Sequence, residues 1–125
     1  MFKTTVFAFG MAMMAGAGFA QDAPDADLTI SAARNQLGVL EYCQAEGHID
    51  GAAVEIQGRM IGMLAPAVDE EAVNAAYEKG KEGTVSAMGI EQTLADAAKT
   101  QGVDEAALCT QLAQLVQQAG AQLPQ

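Results

Sequence analysis

Residues Gly38 to Gly51, GVLEYCQAEGHIDG, bring Cys43, the single histidine His48 and the carboxylates of Glu41, Glu46 and Asp50 into fourteen positions. Such a set suggests two chemistries. A thiolate at Cys43 with His48 as base would be a nucleophile, but that needs a third group to orient the base, and Gly47 ends the helix before His48. Zinc would need three or four ligands, and Cys43, His48 and Asp50 lack the paired Cys-x-x-Cys or His-x-x-x-His spacing of recognisable sites. Neither a catalytic set nor a metal site is expected here.

The chain's other cysteine, Cys109, offers a third chemistry. In an oxidising compartment the expected state of two such cysteines is a Cys43–Cys109 disulfide, with two separate thiols as the alternative. Redox exchange would use a close Cys-x-x-Cys pair, which the sequence lacks. The run Glu78-Lys79-Gly80-Lys81-Glu82-Gly83-Thr84 has the wrong loop length for a phosphate cradle and no preceding strand. Sixteen acidic residues guarantee close carboxylate pairs by chance, so none can be chosen as acid and base. The chain reads as non-enzymatic and without a cofactor.

The compartment follows from the N-terminus. Residues 1–20 carry a charge at Lys3, an apolar run from Val6 to about Ala17, and small residues at Gly18 and Ala20. This is the pattern of a secretory signal peptide cleaved after Ala20, which implies a periplasmic or secreted protein. Cleavage would remove Lys3 and all four phenylalanines and move the formal net charge from −10 to −11. The acidic excess argues against a nucleic-acid partner and against adsorption to anionic lipid. The remaining core must be built from Leu, Ile, Val, Met and Ala.

These residues must be positioned by helices. An acidic leader is expected over 21–27, where Asp22, Asp25 and Asp27 lack the glycine and closing glutamate of a calcium loop. One helical domain then spans 28–120, with a short tail over 121–125. Ile30, Ala33, Leu37 and Leu40 recur at helical spacing, giving a first helix over 28–45. Asp50 can cap a second helix reaching Leu64, before Pro66 breaks it. Asp69-Glu70-Glu71 begins a third that ends near Lys81. Residues Thr84 to Met88 read as its continuation or a turn. A fourth helix is expected over Ile90–Thr100 and a fifth from Glu105 to Ala119, capped by Asp104. No alternating run predicts a strand, so the expected class is all-α, a small bundle of four to five short helices with one disulfide.

Two surfaces point to contact. Gly58 and Gly62, four apart, would let another helix approach closely, most simply inside the domain. Residues 106–125 carry no charged side chain. There Gln111, Gln114, Gln118 and Gln122 line one helical face, and Leu108, Leu112, Leu115 and Val116 the other. Such a helix can pack on its own domain, join a protein partner or a second copy of the chain, or meet a membrane.

Residues AARNQLGVLEYC at 32–43 and GHIDG at 47–51, with YEKGKEG at 77–83 and Cys109, resemble a group of small exported proteobacterial helical proteins. These are labelled pore-forming, of the early secretory antigenic target (ESAT) type, so the resemblance implies pore formation. The family behind that label has a Trp-x-Gly helical hairpin, whereas this chain has no tryptophan. In architecture alone the chain is similar to acid-activated periplasmic holdase chaperones of the HdeA kind. Acid would neutralise its carboxylates while a disulfide keeps it compact.

Overall fold

Helix starts are set by side chains that take orphan backbone N–H groups. Asp69 Oδ1 accepts from Ala72 N at 3.1 Å, Thr93 Oγ1 from Asp96 N at 3.1 Å and Asp104 Oδ1 from Ala107 N at 2.7 Å. The computed structural model describes residues 26–87 and 89–123. Among these the helices are α1 (Ala26–Ala45), α2 (Ala52–Gly62), α3 (Glu70–Lys81), α4 (Leu94–Gln101) and α5 (Glu105–Gly120). An antiparallel hairpin, β1 (Thr84–Ala87) and β2 (Ile90–Thr93), lies between α3 and α4. The described residues thus form a bundle of five short helices with one disulfide, carrying a small hairpin. The expected signal peptide, its expected cleavage after Ala20 and most of the expected acidic leader lie outside the described residues.

The hairpin corrects the sequence reading twice. Ile90–Thr93 is a strand and not the first turn of a helix, and Thr84–Ala87 neither extends α3 nor forms a turn. Two residues link the strands, and Gly89 takes φ +80°, the left-handed geometry that tight hairpin turns require. The strands pair Thr84 with Thr93, Val85 with Gln92, Ser86 with Glu91 and Ala87 with Ile90. A two-stranded ribbon is marginal alone, and here a buried side chain completes it. Asn35, 2 % exposed in the middle of α1, donates from Nδ2 to Thr84 O at 3.0 Å and accepts at Oδ1 from Ser86 N at 2.9 Å. Its carboxamide occupies the place a third strand's peptide group would take. The second Nδ2 hydrogen bonds Ala76 O at 2.9 Å, tying α3 to the same point.

The crossing of α1 and α3 has no side chain between the backbones at its centre. A Cβ added at Gly38 would lie 2.3 Å from Tyr77 O, and one at Gly80 would lie 2.2 Å from Asn35 O. Close glycine packing was expected at Gly58 and Gly62 instead, and that expectation is corrected. Both are exposed on α2, and a Cβ at either would meet nothing within 4 Å. Small residues four apart permit a close approach but do not say which helix makes one. Gly38→Ala is therefore expected to lose about 2–3 kcal/mol by overpacking, although alanine is the better helix former. Gly58→Ala should gain about 0.5–1 kcal/mol. Chemical denaturation of the two variants checks this reversal of sign.

Around this crossing the apolar side chains form two clusters. Val39, Cys43, Leu94, Ala98, Leu108 and Cys109 join α1, α4 and α5, while Leu40, Ala53, Ala113 and Val116 join α1, α2 and α5. Gln57, also buried, donates from Nε2 to Ala33 O at 2.9 Å and fastens α2 to α1. Helix α2 ends at Gly62, short of the expected Leu64, and two further helix starts shift from their expected places. Gly51 occupies the cap position of α2, with Asp50 Oδ1 accepting from Ala52 N at 3.0 Å. Asp27 belongs to α1 and not to the leader, and its carboxylate accepts from Val68 N at 2.8 Å and Asp69 N at 2.9 Å. That clamp fixes the α2–α3 connection against the start of α1.

Candidate binding groove

Cys43 and Cys109 are joined by a disulfide, Sγ to Sγ at 2.08 Å, and both are fully buried. It links the last turn of α1 to the first half of α5 at the centre of the larger cluster. Just beyond, His48 N donates to Cys43 O at 2.9 Å and closes the end of α1. The His48 side chain and Asp50 line a shallow hollow with Thr110, Ala113, Gln114 and Gln117 of α5. No group of three His, Cys, Asp or Glu side chains among the described residues could hold a metal ion. The apparent cluster of Gly38–Gly51 is divided between a buried bridge and an open corner.

At the end of α3, Lys79 pairs with Glu91 of β2. Lys81 lies 3.7 Å from Glu78 Oε1 and 5.2 Å from the centre of the Tyr77 ring. These lysines are engaged along a helix end.

Helix α5, uncharged after Glu105, does not present two uniform faces. Leu108 and Val116 are buried, Leu112 is half-buried, and Leu115 is 61 % exposed. Gln111 shares a groove with Leu115, Gln114 lies in the hollow with His48, and Gln118 is exposed. The groove, ≈ 240 Å³, lies between the hairpin, α4 and α5. Its apolar wall is Val85, Leu94 and Ala97 on one side and Leu108, Leu112 and Leu115 on the other. Its polar groups are the carboxamides of Gln92, Gln101 and Gln111. Alternation along β2 puts Ile90, 71 % exposed, on the same face as Gln92, which extends the apolar surface to the hairpin tip.

Sequence reading missed Val85, Gln92, Leu94, Ala97 and Gln101 as a set, because it placed them in a helix or turn. The signal available was the pair Gly83 and Gly89 bracketing Thr84 and Val85, with β-branched Ile90 and Thr93 following.

Two phenols fasten the rim of the bundle. Tyr77 donates its hydroxyl to Glu41 across the α1–α3 pair. That bond, burial and the neighbouring charges of Glu41 and Glu78 push its pKa up to about 12, against the opposing effect of Arg34. Tyr42 is likewise raised to about 12 by its hydrogen bond to Glu105, by burial and by the charges of Glu105 and Glu46. Each folded pKa lies above the unfolded value near 10, so the stabilisation is complete below about pH 10 and is lost as pH rises through about 12. Tyrosinate absorbance should therefore rise near pH 12 in the folded protein, and the denaturation midpoint should fall between pH 10 and 12.

Comparison of the chain with protein-family models, with characterised proteins and with solved structures finds no match.

Proposed function

We propose that the chain is an exported, non-enzymatic binding domain that acts by holding an apolar group in the groove between the hairpin, α4 and α5. The observation that carries this reading is the lining. In a protein with sixteen acidic and six basic side chains, the groove has no ionisable one, and Leu115 remains 61 % exposed at its edge. An apolar site with a few neutral polar groups is the usual composition of a binding pocket.

Purified oxidised protein should bind an uncharged apolar peptide, read by fluorescence anisotropy. Leu115→Glu, on an exposed position, should weaken that binding at least tenfold, while Gln118→Glu should leave it unchanged. Equal binding by both variants would reject the groove as the contact site.

Pore formation, implied by resemblance, is the membrane form of this reading. No helix among the described residues is long and apolar enough to cross a membrane. Liposome leakage with purified protein tests it, and silence at every pH removes it. A holdase reading has its own support in the acidic excess, since acid below about pH 4 neutralises the carboxylates and leaves the basic groups charged. It requires suppression of client aggregation in acid and none at neutral pH.

A further inference from the structure

The groove adjoins a second hollow at Val85 and Leu112. This hollow, of ≈ 260 Å³, follows α1 along Ala32, Gln36 and Val39. Each hollow alone is smaller than the roughly 300–1,000 Å³ of ordinary small-molecule sites, and together they fall within that range. Val85 and Leu112, which line both hollows, are half-buried.

The chemistry of the two hollows differs. The first offers three carboxamides, Gln92, Gln101 and Gln111, none of which hydrogen bonds to another group among the described residues. In the second, Asn35 already uses its carboxamide in three hydrogen bonds, which leaves the single carboxamide of Gln36 beside a wall of Ala32, Val39, Val85 and Leu112. Neither hollow has an ionisable side chain. A charged head would find no counter-charge there, and the net charge of −10 repels anions in particular.

We infer that the two hollows together bind one uncharged single-chain lipid, its neutral hydrogen-bonding head among Gln92, Gln101 and Gln111 and its alkyl chain passing between Val85 and Leu112 toward Val39. This rests on the reading of the groove as a binding site and specifies its ligand.

The test is titration of the oxidised protein with monoacylglycerols of increasing chain length, below their micelle-forming concentrations, followed by calorimetry and methyl chemical shifts. Affinity should rise about fourfold per methylene and then level off once both hollows are filled. The fatty acid carboxylate of equal length should bind at least tenfold more weakly. Shifts should include Leu94 and Leu115 in the first hollow and Val39 in the second. Leu115→Glu should lower affinity about tenfold, and Gln118→Glu should not. Equal affinity for the carboxylate, or shifts confined to one hollow, would overturn the inference. If monoacylglycerols fail to bind while the apolar peptide still shifts the Leu94 and Leu115 methyls, the lipid is wrong and the binding domain stands. If Leu115→Glu alters neither ligand's affinity, both fall.

Discussion

Cys43→Ala/Cys109→Ala protein is expected to unfold about 4 kcal/mol more easily than the oxidised parent. The bridge joins positions 66 residues apart. In the chain-entropy model, a loop of that size removes conformational freedom from the unfolded state worth about 4 kcal/mol. That is a large share of the roughly 5–15 kcal/mol that a domain of this kind retains in total. The native side of the balance adds to the loss, because the two sulfurs sit at full burial among Val39, Leu94, Ala98 and Leu108. Urea denaturation of parent and double variant reads the difference directly. A loss under about 1 kcal/mol would mean that the unfolded chain is already restricted without the bridge. Full burial also means that a thiol reductant reaches the bond only when the protein opens, so the reduction rate should follow unfolding.

Asn35→Ala is expected to cost roughly 3–5 kcal/mol, because one truncation strips partners from three backbone groups on two elements. Thr84 O and Ser86 N would lose their partner at the outer edge of β1, and Ala76 O would lose its contact from α1. Asn35→Asp separates hydrogen bonding from size. It keeps the shape and the acceptor for Ser86 N, yet places a carboxylate oxygen against Ala76 O and Thr84 O. It should be no more stable than the alanine variant. Hydrogen exchange locates the damage: slow amides of the hairpin should become fast in both variants before those of α5 change. If hairpin protection survives in Asn35→Ala, the side chain is not what completes the ribbon.

That dependence explains which parts of the fold the sequence discloses. Asp69 and Asp104 act within three residues of themselves, so their helices can be read locally and begin where expected. The cysteine pair is legible because two cysteines in a chain expected to be exported leave few alternatives. The hairpin is different, since its second partner is a side chain 49 to 51 positions earlier in the chain. The motif at Gly58 and Gly62 misleads for a related reason: spacing identifies a smooth helix face without supplying the helix to lie against it. Gly38 and Gly80, which do meet, stand on two helices and form no local motif. The groove was least legible, because Val85, Ala97 and Leu115 come from three elements and become neighbours only after the hairpin exists.

The covalent bridge also sets what a protease can do to this molecule. The connection between α2 and α3, from Met63 to Asp69, is largely exposed and lies inside the ring closed by Cys43 and Cys109. A cut there produces two polypeptides but releases neither: one piece carries α1 and α2, the other α3 through α5, and the buried sulfur bond holds them together. The crossing at Gly38 and Gly80 lies across that division, as does the clamp of Asp27 on Val68 and Asp69. The nicked form is therefore a two-chain protein with the same interior, and only reduction after unfolding separates its halves.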